Sequence, residues 1–400
     1  MDTNYLFNVS RSLVDSTQGK WHRYLYHRID WSLPLVCIKG ARGIGKTTIM
    51  LQRAKEVNNS GGKAIYVSLD NIRFTGNSLL ELVDYHYQHG GTHIFIDEVH
   101  RYMNDNWAQE IKNIYDSYPG YHVAFTGSSL LKIYQSVADL SRRCITYYLQ
   151  GLSFREYLDM IGACHIAPIN LEDALLRHDE SASGILRQVK PLEHFGTYLQ
   201  HGYYPFFNQL KNSYREALRQ IINAIIETDI PATINIERGT IFKLRQLLGI
   251  IAGMTPYTPN ITRLAELLNS TRQHVTNLLA ALDQAALTGS LFNGRNVMQQ
   301  LAKPVKVYLE NTNLLYALTD DISVGNLRET FFANQLRVGH KLTFSGNGDF
   351  LIDGRYTIEV GGKDKSFKQI KDIPDSFLAI DDVETTLGNK VPLWLFGFLY

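Results

Sequence analysis

The stretch "PLVCIKGARGIGKTTIM" (34–50) constrains this chain more than any other, because an apolar run, a glycine-rich loop and a helix-forming run follow one another without a break. Gly40, Gly45, Lys46 and Thr47 fit the pattern Gly-x-x-x-x-Gly-Lys-[Ser/Thr]. Glycines at those places let the backbone wrap an anion, with N–H groups turned inward and a helix N-terminus behind them. Around the loop, the apolar runs "PLVCIK" (34–39), "AIYVSL" (64–69), "HIFID" (93–97), "HVAFTG" (122–127) and "ITYYL" (145–149) alternate with amphipathic segments such as "KTTIMLQRAKEV" and "NWAQEIKNIYDSY". Apolar strands separated by helices predict an α/β fold built on a parallel sheet covered on both faces. Ligands of such sheets bind at the carboxyl ends of the strands.

The loop predicts ATP and Mg²⁺ as cofactors, with Gly40, Ala41, Arg42, Gly43, Ile44, Gly45, Lys46, Thr47 and Thr48 as the nucleotide contacts. Lys46 is expected to neutralise the β- and γ-phosphates and the Thr47 hydroxyl to ligate Mg²⁺. "HIFIDEVH" (93–100) ends a buried strand on Asp97-Glu98. A carboxylate there can hold the metal and its neighbour can polarise the attacking water, so Asp97 is assigned to Mg²⁺ and Glu98 to water activation. The strand end "AFTGSSL" (124–130) offers Thr126 and Ser128 to sense the γ-phosphate or orient the water, with capping of the next helix as the competing role. "DLSRRC" (139–144) offers Arg142 and Arg143, one of which is expected to meet the γ-phosphate in cis or across a subunit interface; the alternative is an ordinary surface pair. The reaction expected is hydrolysis of ATP to ADP and phosphate.

Bulk properties narrow the class. A chain of 400 residues exceeds one ordinary core, so about two to four domains are expected. Forty Lys+Arg against 39 Asp+Glu give a formal charge of +1, which excludes a global basic field that would by itself advertise nucleic acid. Cys37, Cys144 and Cys164 lack disulfide or metal-ligand spacing and suit a reducing compartment. No stretch reaches the roughly 18 uninterrupted apolar residues of a spanning helix, and the N-terminus lacks a secretory pattern. A cytoplasmic protein without membrane partners is the expectation.

The loop, "FIDE", "FTGSS", "SRR", "LSFREYL", then "YYPFF" (203–207) and "IIETDIP" (225–231) occur in this order. The series resembles the AAA+ family ATPases of bacteria and archaea whose C-terminal half is a domain of unknown function. That resemblance implies a P-loop NTPase sheet with the strand order 5-1-4-3-2, and many AAA+ relatives form rings, so self-association is carried as an expectation.

Beyond residue 150 the strand signal fades. "LSFREYLDMIG", "LEDALLRHD" and "SYREALRQIINAIIETDI" read as helices, and 178–190 as a surface connection. Residues 260–292 fit a helix-turn-helix with a β wing in 289–309. Arg272, Gln273 and Thr276 near the start of its second helix are candidate DNA contacts; a winged-helix module used as a structural connector is the alternative. In the last ninety residues, Glu329 falls on a helix, Asp349 opens a strand and Glu359 sits near the end of the next. That arrangement resembles the restriction-endonuclease-like core, whose active members hold Mg²⁺ on two acidic residues and carry a lysine two positions after the second. Here that position is Gly361, and Lys363 follows on a Gly-Gly step. Either Lys363 substitutes from a displaced position, or the module binds without cutting, or the acids are strand-end charges. The expected organisation is 1–150 P-loop ATPase domain, 151–250 helical lid or connector, 251–310 winged-helix-like domain and 311–400 restriction-endonuclease-like module. The expected function is an ATPase that couples nucleotide state to rearrangement of its C-terminal parts, acting on DNA; a DNA nuclease under ATPase control and a non-catalytic ATP-dependent interaction protein are the rivals.

Overall fold

The structure, a computed structural model, describes residues 3–19, 21–74, 78–102, 107–127, 140, 142–210, 212–231, 238–293 and 303–400. The chain divides into two compact units, 1–150 and 151–400. Among the described residues, no helix is long and apolar enough to cross a membrane.

The first unit runs α1 (Thr3–Ser16), β1 (Leu35–Lys39), α2 (Lys46–Asn59), β2 (Ala64–Ser68), α3 (Leu79–Gln88), β3 (His93–Asp97), α4 (Trp107–Ser117), β4 (His122–Gly127) and β5 (Ile145–Tyr148). Its five strands are ordered β2-β3-β4-β1-β5 and every pairing is parallel. Read from the other edge this is 5-1-4-3-2, the order the family resemblance implies. The continuous apolar runs lie inside: all five residues of β1 are buried, whereas β5 at the edge is largely exposed. Cys37, Ile65, Val67, Ile94, Ile96 and Phe125 project from the strands into one core with Leu79, Leu82, Trp107 and Ile111 from α3 and α4. The start of α3 is fixed by Ser78, whose side chain accepts from the Leu80 N–H. In a parallel sheet all carboxyl ends share one edge, so the residues that follow β1, β3 and β4 are brought together there.

The second unit continues α5 (Phe154–Met160), α6 (Leu171–Leu176), α7 (His178–Leu186), α8 (Pro191–His201), α9 (Tyr214–Ala224), α10 (Arg238–Met254), α11 (Ile261–Leu267), α12 (Arg272–Gln284), β6 (Thr288–Leu291), β7 (Lys306–Leu309), α13 (Thr312–Leu318), α14 (Val324–Leu336), β8 (Leu342–Phe344), β9 (Phe350–Ile352), β10 (Tyr356–Gly361), β11 (Ser376–Ile380) and β12 (Lys390–Pro392). Side-chain caps mark its helix starts: Ser153 with Glu156 forms a capping box on α5, and Asn260, Thr271, Asn311 and Ser323 cap α11, α12, α13 and α14. β6 and β7 form an antiparallel hairpin, and Tyr257 adds a bridge to Val307. The second five-stranded sheet is ordered β12-β11-β10-β9-β8, parallel from β10 to β12 and antiparallel from β10 to β8, with α14 packed against β10. Asn313 is wholly buried and satisfied: its Oδ1 accepts from Tyr203 N and Tyr214 Oη, and its Nδ2 donates to the carbonyls of Tyr198 and Leu199.

One local expectation differs from the structure. Residues 178–186 are a helix rather than a connection, since Ala182 and Ile185 bury one face of an otherwise polar run. The chain closes on β12 and a buried 3-10 helix at Leu393–Phe398.

Candidate functional site

The loop after β1 has the geometry of an anion cradle. Gly43 and Gly45 adopt positive φ of 82° and 98°, which a side chain would oppose. α2 starts immediately behind them at Lys46. Lys46 is 5% exposed, and its Nζ donates to the carbonyls of Gly40 (2.9 Å) and Ala41 (2.7 Å), so the ammonium is folded over the mouth of the loop.

Asp97 is the convergence point at the carboxyl edge. Thr47 Oγ1 donates to its Oδ2 at 2.5 Å, Tyr66 Oη donates to the same oxygen at 2.9 Å, and Thr126 Oγ1 donates to Oδ1. Three strands and the first turn of α2 therefore meet on one buried carboxylate, 3% exposed. Burial, then the neighbouring Asp97 charge, pushes the Tyr66 phenol well above its ordinary range, which keeps it a proton donor. Glu98 follows in a left-handed conformation (φ 56°, ψ 43°), uncommon for a residue with a side chain and frequent at functional sites. Its Oε2 lies 3.4 Å from His100 Nε2. Hard oxygen donors of this kind suit Mg²⁺.

The remaining first-unit candidates divide. Thr126 reaches the cluster, whereas Ser128 lies outside the described residues. Arg142 and Arg143 precede β5, which runs parallel to β1, so they sit at the edge of the sheet opposite the phosphate loop. Arg143 is engaged there, its Nε and Nη2 donating to the Asp116 carboxylate at 3.0 and 3.2 Å. Placed there, neither arginine lies beside the loop of its own chain.

In the second unit Arg272, Gln273 and Thr276 are exposed along the first turns of α12. Gln273 Nε2 donates to Asn277 Oδ1 and Thr276 Oγ1 to the Arg272 carbonyl, so two of the three polar groups are held on their own helix.

The C-terminal acids come together with two lysines. Lys306 Nζ lies 3.1 Å from both Glu329 Oε2 and Asp349 Oδ1, and Tyr308 Oη donates to Glu329 Oε2 at 2.8 Å. Asp349 Oδ2 accepts from the Val360 N–H, and Lys365 Nζ lies 2.6 Å from Glu359 Oε1. Lys363 is not part of this cluster: its Nζ pairs with Asp382 at 3.7 Å, with both side chains more than 60% exposed. Lys365 takes the place expected of Lys363. Its stem crosses Gly361, where an added Cβ would fall 2.5 Å from Lys365 Cγ, so the bare glycine makes room for it. Desolvation pulls the Lys306 ammonium down, but two carboxylates outweigh it and hold the group above its usual value. Burial, then the Asp349 charge, raises Glu329; burial likewise raises Glu359 against the opposing Lys365. Two carboxylates share one ammonium, so acid and base are raised together.

Tyr66, Lys306, Tyr308 and Lys365 carry these clusters and were not singled out from sequence. Lys306 and Tyr308 alternate with Val307 on one strand and so face the same side, a period-two signal that was present in "VKVYL".

Residues 32–158 match the family described as "AAA domain", and 192–324 match a "Domain of unknown function (DUF8612)". The amino-terminal unit carries an AAA-type P-loop fold. No curated protein matches the chain. Among solved structures it is similar to the Walker-type ATPase PABY2304 of Pyrococcus abyssi, at 13% identity over 76% of this chain and 99% of that one with a TM-score of 0.42. It is also similar to PCH-2 of C. elegans, at 12% identity over 69% and 67% of the two chains with a TM-score of 0.26. A third likeness is to AMPPCP-bound DnaA from Aquifex aeolicus, at 13% identity over 71% and 89% with a TM-score of 0.25. At these scores the fold assignment rests on the strand order, the loop and the family match.

Proposed function

We propose that this chain binds ATP with Mg²⁺ through residues 40–48, hydrolyses it, and couples nucleotide state to rearrangement of residues 151–400. The observation that carries this is the convergence of Thr47, Tyr66 and Thr126 on Asp97 beside a loop closed by Lys46. Lys46 exchanges its two loop carbonyls for phosphate oxygens, a stronger charge-assisted contact. Thr47 and Asp97 hold Mg²⁺, which supplies neutralisation of the β- and γ-oxygens. Glu98 accepts the proton of the attacking water, and Thr126 fixes the Asp97 carboxylate in place. An arginine finger in this reading comes from another subunit, with Arg142 the exposed candidate. The segment 251–310 is read as a winged-helix-like module following the helical connector at 151–250, with Arg272, Gln273 and Thr276 placed to meet DNA. Phosphate release by wild type, Lys46→Ala and Glu98→Gln tests the proposal: equal rates from the three would remove the ATPase reading.

A second reading, phosphodiester cleavage by residues 311–400, is favoured by one observation: Glu329, Asp349 and Glu359 meet, with Lys365 delivered over Gly361. Plasmid nicking in Mg²⁺ or Mn²⁺ that disappears in both Asp349→Ala and Lys365→Ala supports it; nicking unaffected by either change, or none at all, rules it out.

A further inference from the structure

We infer that Arg23, with Tyr24, is a positioning clamp that joins the phosphate loop to the last residues of the first unit, so that occupancy of the loop is felt at residues 148–150. This rests on the ATP reading above and adds how the nucleotide signal leaves the site.

Arg23 lies between α1 and β1, far in sequence from both places it holds, and is only 3% exposed. Its Nη1 donates to the Ile44 carbonyl and its Nη2 to the Gln150 carbonyl, each at 2.6 Å. Ile44 stands between Gly43 and Gly45, both at positive φ, and Gln150 is the last residue before the second unit begins. A guanidinium is a rigid planar fork with always-charged donors, so it fixes the two oxygens relative to each other in a way a flexible ammonium does not.

The bond to Ile44 bears directly on the anion cradle. The Ile44 carbonyl and the Gly45 N–H belong to one peptide group, and that peptide is trans. In a planar trans peptide the two point in opposite directions, so holding the carbonyl outward onto Arg23 aims the Gly45 N–H away from it, toward the interior of the loop. Phosphate in the loop pulls on that N–H, and any rotation of the peptide moves the oxygen that Arg23 grips.

The other end of the clamp is equally defined. Tyr24 Oη donates to the Tyr148 carbonyl at 3.1 Å and accepts from Gln150 N–H at 3.2 Å. Leu149 N donates to the Lys39 carbonyl at 2.8 Å. The Leu149 carbonyl lies so close to Gly40 that an added Cβ there would be 2.4 Å from it. Each residue of 148–150 is thus tied either to the phosphate loop or to the segment that holds the loop. A ligand shifts an equilibrium only through contacts that differ between states, and Arg23 supplies such a contact between loop and exit segment.

Hydrogen–deuterium exchange on the full chain, with and without a non-hydrolysable ATP analogue and Mg²⁺, tests this. In wild type the analogue is expected to slow exchange in peptides covering both 40–47 and 148–151. In Arg23→Gln the loop still responds, at about tenfold higher analogue concentration, while the response at 148–151 falls several-fold. Arg23→Lys is expected to restore loop affinity more than the 148–151 response, because an ammonium does not fix two carbonyls at once. Tyr24→Phe, which removes one oxygen and keeps the ring, leaves the loop response intact and weakens the other; it decides the matter if Arg23→Gln does not fold. A wild-type response confined to 40–47, or a full 148–151 response in both Arg23→Gln and Tyr24→Phe, overturns the clamp and leaves ATP binding standing. Absence of any wild-type response at 40–47 removes the ATP reading and the clamp together.

Discussion

Two groups of carboxylates, one in each unit of this chain, are met by different kinds of partner. Asp97 accepts from three hydroxyls, those of Thr47, Tyr66 and Thr126, which donate protons without adding charge. Glu329, Asp349 and Glu359 are met by ammonium groups, Lys306 bridging the first two and Lys365 seated on the third. Hydroxyl donors orient a carboxylate and leave its full negative charge available to an incoming cation. Lysines neutralise it from within, so a cation entering the second cluster competes with two resident ammonium groups. The first arrangement suits the metal-bound phosphate of the proposed reaction; the second is near charge balance already, which explains how three acids tolerate one another there.

The largest expected effect would break the first half of that comparison. Glu98→Gln should lower hydrolysis by about 10²–10⁴-fold while ATP binding persists, and Lys46→Ala should abolish binding itself, measured by phosphate release and by equilibrium binding of a fluorescent ATP analogue.

The next addresses the second half. Lys306→Met leaves Glu329 and Asp349 facing each other uncompensated and should cost about 3 kcal/mol in urea unfolding at neutral pH. The deficit has a definite pH sign. Glu329 is already raised in the folded state, so the folded chain holds its proton more tightly than the unfolded chain. That contribution favours folding below the ordinary carboxylate range and is lost as pH rises through the folded pKa. Removing the ammonium raises Glu329 further, so the Lys306→Met deficit should shrink as the medium is acidified and be largest at neutral pH and above.

Tyr66→Phe should be milder, about 1 kcal/mol of stability by thermal unfolding, with a several-fold fall in hydrolysis at limiting Mg²⁺ as Asp97 loses one of its orienting donors. The smallest effect distinguishes two neighbouring lysines. Lys363→Ala removes an exposed pair and should change stability by less than about 0.5 kcal/mol, whereas Lys365→Ala strips a cation from the buried Glu359 and should cost about 1 kcal/mol.

Much of the first unit could be read in advance, because its chemistry is local. The phosphate loop needs glycines and a lysine at fixed spacing, and Asp97 ends an apolar strand, so short-range patterns suffice. The placement of Arg142 and Arg143 was also deducible: both precede the fifth strand, and a parallel strand starts at the edge opposite the loop. The second cluster was legible only in its acids. Lys306 is 43 residues from Asp349, and its partnership depends on how β7 meets a separate sheet, which no window of sequence contains. Lys365 was hidden for a different reason, since the glycine that breaks the expected lysine position is what lets a later lysine cross above it. Arg23 gave no signal because the groups it grips on Ile44 and Gln150 are backbone carbonyls.

The most direct test of the central claim measures ATP binding and phosphate release on the same preparations of wild type, Glu98→Gln and Asp349→Ala. The account predicts that all three bind ATP, that only Glu98→Gln loses phosphate release, and that Asp349→Ala releases phosphate at the wild-type rate. Undiminished release by Glu98→Gln, or loss of release in Asp349→Ala with binding intact, would contradict it.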